Sequence, residues 1–171
     1  LTSGVDYGFA YWAHGTAGFS RWSGGNIKTG TGNASPCNNY NCLKVPIYKG
    51  GAAAIAKMIN SVNPGGGTDA DAFMKIAQQY YLHNTYTPVD KNSPCQNSYV
   101  LVIGEWDWYN HSKALSKARN LFQQHKIKTF TVAFGTGISN SGLRNFNQIA
   151  NAGGTNRAIV ATTAESLKVQ L

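Results

Sequence analysis

Three glycines, Gly65-Gly66-Gly67, lead into Thr68, Asp69 and Asp71, so that a hydroxyl and two carboxylates arrive together at the start of a helical pattern. About thirty residues further on, the apolar run from Tyr99 to Ile103 stops at Gly104-Glu105-Trp106-Asp107. A buried strand that ends on an acid aims the carboxylate at the carboxyl edge of its sheet, where ligands bind in open α/β sheets. Two such oxygen-bearing segments suit a hard cation or a polar ligand rather than a nucleophilic site.

Other chemistries find little support. The sequence has no G-x-S-x-G elbow and no Walker loop. Gly65-Gly66-Gly67 follows a helical pattern rather than a strand, which removes the context of a phosphate cradle. Asn110-His111-Ser112 holds the pieces of a hydrolytic pair, but adjacency in a loop does not align a nucleophile with its base. His14, His83, His111 and His125 have no metal-ligand spacing and read as ordinary residues. The expectation is a protein that is not an enzyme.

Chain length bounds what can position these residues. A chain of 171 residues, 42% hydrophobic, is long enough for one domain with a real core and too apolar to be disordered. Charged residues make up 13%, about half the usual share, so Asn, Ser, Thr and Gly must build much of the surface. That composition fits an exported protein. The net charge of +8 favours acidic surfaces or nucleic acid. Yet Lys28, Lys44, Lys49, Lys57, Lys75, Lys113, Lys117, Lys126 and Lys128 are dispersed, with no basic run. Solvated lysines on helix backs explain them better than a nucleic-acid groove, so a nucleic-acid partner is not expected.

Cys37 and Cys42 stand close together in a loop of Asn, Ser and Gly, with no histidine placed to complete a zinc site. A Cys37–Cys42 disulfide is the expectation, and with it an oxidising compartment; pairing of Cys95 with either remains open. No transmembrane run is present, so no membrane insertion is expected. The start at Leu1, close to the first strand, reads as a piece of a longer, processed protein.

Patterning predicts the elements. Val5 to Trp12 is aromatic and β-branched, a strand, with Gly18 to Trp22 as a short edge strand beside it and Trp12 and Trp22 packing across that hairpin. Residues from about 23 to 49 read as a long loop. Ala52, Ile55, Ala56 and Ile59 repeat at helical spacing, as do Phe73, Ile76, Ala77 and Tyr80. Tyr99 to Ile103 and Ile127 to Phe134 read as buried strands, and Ala158 to Ala161 as a short one. Helices are predicted over Ser112 to Gln124 (Leu115, Ala118 and Phe122 inward), around Leu143, Phe146, Ile149 and Ala150 up to Gly153-Gly154, and from Ala164 to Leu171. The fold class is therefore α/β: a mostly parallel, doubly wound sheet with one antiparallel edge strand and helices on both faces.

The segments GGTDADAF (66–73), VIGEW (102–106), HKIKTFTVAFGTGIS (125–139), LRNFNQIANAGGT (143–155) and AIVATTAESLKVQL (158–171), in this order and spacing, resemble a von Willebrand factor type A domain from its second strand onward. YGFAYW, the inserted cysteine loop and the acid-Trp strand end are most similar to the A-type domain of type IV pilus tip adhesins, the PilC/PilY family of pilus assembly proteins. The resemblance implies one von Willebrand factor A-like domain over residues 1–171, lacking its first strand and helix.

It also implies a divalent cation (Mg²⁺, Mn²⁺ or Ca²⁺) at the carboxyl edge, held in the family by an Asp-x-Ser-x-Ser segment, a threonine and an aspartate. Thr68 matches the threonine and Glu105 stands at the aspartate's place, while the Asp-x-Ser-x-Ser segment is absent. The extra methylene of Glu105 moves its carboxylate by about 1.5 Å, which suits the looser geometry of Ca²⁺ or an outer-shell role better than Mg²⁺.

Each residue also has a structural reading. Thr68 or Asp69 can cap a helix, and Asp71 suits a first helical turn. Trp106, Trp108 and Tyr109 either anchor a partner or cover the sheet edge. With the resemblance, Thr68 and Glu105 become candidate metal ligands, and Trp106, Asp107 and Trp108 candidate partner contacts. The implied function is a non-catalytic adhesion module, extracellular at a pilus tip, binding pilin subunits or a surface receptor. The alternatives are a metal-independent cap or scaffold in pilus assembly and a glycan- or nucleic-acid-binding surface.

Overall fold

The computed structural model describes residues 4–11, 42–60, 68–105 and 107–170. They fall into two compact units, one within Leu1–Gly67 and Lys75–Asn92, the other within Thr68–Met74 and Ser93–Leu171.

The first unit is built on an antiparallel strand pair, β1 (Tyr7–Ala10) and β2 (Leu43–Tyr48), followed by helix α1 (Gly51–Ile59). Residues 43–48 were expected inside the long loop. Pro46 hides the strand, because a proline cannot donate to a ladder and argues against strand from sequence. The register shows how it is accommodated. Tyr7 pairs with Tyr48 and Phe9 with Val45, so β2 carries one extra residue where Pro46 and Ile47 lie. The bulge takes the Ile47 N–H off the ladder, and the Tyr80 hydroxyl accepts it at 2.9 Å. Opposite the bulge, Gly8 approaches so closely that a Cβ there would lie 2.7 Å from the Ile47 side chain. Leu43 and Tyr80 are buried together, with Ala10, Ile47 and Tyr86 packed around them.

Helix α2 (Ala70–Tyr81) begins in the second unit and ends in the first. Phe73, Ile76 and Tyr80 are buried as its periodicity predicts.

The second unit alternates strand and helix: β3 (Tyr99–Gly104), α3 (His111–His125), β4 (Lys128–Phe134), α4 (Asn140–Ala152), β5 (Ile159–Ala161) and α5 (Ala164–Gln170). The strands form a parallel sheet in the order β3-β4-β5. Both crossovers step in the same direction, so right-handed connections lay α3 and α4 on one face. Ala114, Ala118 and Leu121 of α3 and Phe146, Ile149 and Ala150 of α4 are buried. The buried stripe of α3 is thus shifted from the expected one, since Leu115 and Phe122 are only half-buried.

Two features of the expected architecture are corrected. Among the described residues the antiparallel element is a two-stranded ladder, where a single antiparallel edge strand was expected. Among the described residues, the parallel sheet has three strands, and Tyr99, Leu101 and Ile103 on one face of β3 are about half exposed (50%, 46% and 46%). The expected strand from Gly18 to Trp22 and the packing of Trp12 and Trp22 lie outside the described residues.

Glycines stop and dock α4. Gly154 adopts φ +78° beside the Phe122 ring, where a Cβ would come within 2.5 Å of ring carbon, and Gly153 sits as tightly against Thr129. The Thr131 hydroxyl, buried in β4, donates to the Phe146 carbonyl at 3.0 Å. The end of α4 is thereby fixed against the beginning of β4.

Candidate functional site: the carboxyl edge of the parallel sheet

Segment 68–70, leading into α2, runs beside segment 109–110, leading into α3. The Tyr109 N–H donates to the Thr68 carbonyl at 3.2 Å, and the Ala70 N–H to the Tyr109 carbonyl at 3.0 Å. Asp69 pairs with Tyr109 as an isolated parallel bridge. Asp69 is 6% exposed, and its carboxylate accepts the Asp71 N–H at 2.9 Å, the helix-capping bond its position suggested. Both its oxygens also accept from the Asn110 side-chain amide, at 3.2 and 3.1 Å. Asn110 stands with φ 57°, in the left-handed region that asparagine tolerates better than most residues. Asp71 receives the Lys117 ammonium at 2.5 Å. Burial raises the pKa of the Tyr109 phenol, and the nearby Asp69 charge pushes the same way.

Past the end of β3, Glu105 is exposed and Asp107 turns toward α4. Ser139 caps α4: its hydroxyl accepts the Gly142 N–H at 2.9 Å and donates to the Asp107 carboxylate at 2.6 Å. The Ser141 hydroxyl lies 2.8 Å from that of Ser139. Gly142 leaves room for this arrangement, since a Cβ there would overlap the Asp107 carboxylate. Asp107 therefore sits where the dipole of α4 favours negative charge.

Trp108 is 8% exposed. Its ring meets Phe73 edge-on at 5.4 Å and Phe146 at 4.1 Å, and Gly104 clears space for the Phe146 ring. Its indole N–H donates to Nδ1 of His111 at 2.9 Å, and Nε2 of His111 faces the Gln148 side-chain oxygen at 2.7 Å.

The residues singled out from sequence are thus distributed unequally. Thr68 lies against the 109–110 segment, and Asp107 is tied to α4. Trp108, expected at the partner surface, packs inward, because two aromatic neighbours and an internal hydrogen bond hold it more firmly than water does. Trp106 lies outside the described residues. Among the described residues the Thr68 hydroxyl and the Glu105 carboxylate have no hydrogen-bonding or ionic partner, which leaves both oxygen groups uncommitted. Two such groups are well short of the six or more oxygens that Mg²⁺ or Ca²⁺ takes. No group of three or more His, Cys, Asp or Glu side chains able to hold a metal occurs among the described residues. The residues described here do not by themselves make a cation site.

Sequence reading set Asn110 and His111 aside as a discounted hydrolytic pair and missed Ser139 and Gln148. Ser139 had a usable signal, a serine directly before a helical pattern. Asn110 and Gln148 acquire their roles through contacts 41 and 37 residues away, and His111 joins such a contact to a local one with Trp108.

No family model matches the chain, and no curated protein matches it significantly. Among the described residues no helix is long and apolar enough to cross a membrane. Cys95 is a free, exposed thiol. Cys42 is disulfide-bonded, and its partner lies outside the described residues.

Proposed function

We propose that the chain is a non-catalytic adhesion or interaction module of the von Willebrand factor A type, belonging to a pilus-associated protein at the cell surface, and that it recognises a protein partner at the carboxyl edge of its parallel sheet. One observation carries this reading. In a protein of net charge +8, four of the seven acidic residues, Asp69, Asp71, Glu105 and Asp107, belong to the two segments that meet at this edge. Asp69 and Asp71 are held by Asn110 and Lys117, and they stiffen the edge. Glu105 and Asp107 are exposed on it and give it a local negative field that steers a basic partner surface.

No step is assigned to a divalent ion, since Thr68 and Glu105 are only a partial ligand set. The test is binding of the chain to purified pilin and to assembled pili, read by biolayer interferometry with Mg²⁺, Mn²⁺ or Ca²⁺ and with chelator. Glu105→Lys and Asp107→Lys are expected to weaken binding at least tenfold, about 1.4 kcal/mol each. Undiminished binding in both variants overturns the proposed edge. Binding that survives charge reversal and chelation alike is the result expected of a metal-independent scaffold.

A further inference from the structure

The contact between Trp108 and His111 is chemically one-sided. An indole N–H only donates, so Nδ1 of His111 must be an acceptor. The proton of the neutral ring then resides on Nε2, where it donates to the Gln148 oxygen. These are the ring's two hydrogen bonds among the described residues, and the rings of Trp108 and His111 lie nearly parallel, at 18°. In the imidazolium both nitrogens carry hydrogen. Nε2 keeps Gln148, whereas Nδ1–H opposes another N–H, and the indole of a residue only 8% exposed is left without an acceptor.

Charged groups on the surrounding elements do not substitute for that acceptor. On α3 itself, Lys113 is exposed and Lys117 is bound to Asp71 of α2. In the preceding turn Asp107 is bound to Ser139, and on α4 Arg144, one turn before Gln148, is exposed. No ion pair or hydrogen bond joins any of them to the imidazole among the described residues.

We propose that His111 is an acid-operated latch: protonation frees Trp108 from Nδ1 while Gln148 keeps the ring on α4, and the turn from Asp107 to Asn110 loosens. As regulation of the recognition edge, this rests on the function proposed above; as a property of the turn, it is measurable without any partner.

The experiment follows the Trp108 indole N–H resonance of the ¹⁵N-labelled chain, assigned with Trp108→Phe, from about pH 8 to about pH 5, the range in which histidine changes charge. His111→Gln, which can keep both bonds without titrating, and His111→Asn are recorded beside it. In the wild type the resonance is expected to leave its hydrogen-bonded position in one transition, and to stay in place in whichever variant folds. A stationary wild-type resonance, or the same transition in a variant, overturns the latch. Pilin binding is measured at both ends of the range. A resonance that moves while no pilin binds at either end supports the latch and counts against the recognition reading alone.

Discussion

The Asp107 carboxylate and the Ser139 hydroxyl meet at 2.6 Å, joining the turn after β3 to the first turn of α4. Ser139 is at once donor to Asp107 and acceptor for the Gly142 N–H, so the cap and the acidic edge are one structure. Replacing Ser139 with alanine is expected to cost about 1 kcal/mol, the usual worth of a helix cap. Asp107→Ala should cost less, because its carboxylate is exposed, and the double variant should cost less than the two losses combined. Urea denaturation of the three variants measures both effects.

Trp108→Ala removes a ring wedged between Phe73 and Phe146 and is expected to destabilise by about 3–5 kcal/mol. Trp108→Phe should recover most of that loss, while leaving His111 Nδ1 without its donor. Equal losses in the two variants, in thermal or denaturant unfolding, would show that the hydrogen bond rather than the packing holds the turn.

Gly51, the first residue of α1, lies against the Tyr7 carbonyl, where a Cβ has no room. A backbone neighbour cannot swing aside as a side chain can. Gly51→Ala should therefore destabilise by about 1–3 kcal/mol, even though alanine is the better helix former. A gain in melting temperature would contradict the close approach.

Stability should pass through a maximum in alkaline solution. Burial lowers the Lys44 pKa from 10.5 to about 8. Below pH 8 both folded and unfolded chains carry its proton, and the cost of burying the charge is fully present. Between about 8 and 10.5 only the unfolded chain holds the proton, so stability rises with pH. Tyr80 acts oppositely: burial pushes it up to about 12, against the lowering effect of the bond from Ile47 N–H. From 10 to about 12 the unfolded chain loses that proton first, and stability falls. Unfolding midpoints against pH should climb from 8 toward 10 and then drop, and Lys44→Met should flatten the climb.

Much of the second unit was legible because each element stands on a local signal. β-branched runs gave β3 and β4, and the helical repeat with Gly153-Gly154 gave α4 and its end. β2 was not legible, because Pro46 is acceptable only where a bulge removes its ladder position and a distant tyrosine caps the freed N–H. At the site, Asp69 as a helix cap was readable from its place before an apolar repeat. For Trp108 the residues left partner anchoring and edge packing level, because a tryptophan next to acids after a strand looks the same whether it faces solvent or Phe146. That choice is made by tertiary contacts, as are the pairings of Asn110 and Gln148.

The sheet order β3-β4-β5 is also the order in which the ribosome releases these strands. Among the described residues, each new strand pairs with the strand made just before it. No strand of this unit has to be threaded between two others. Each pairing still closes a crossover through a whole helix, the non-local parallel contact that slows folding. Every partner of the β3–β4 ladder and of the Asp107–Ser139 bond precedes β5 in the chain, so the acidic edge is encoded before the last strand.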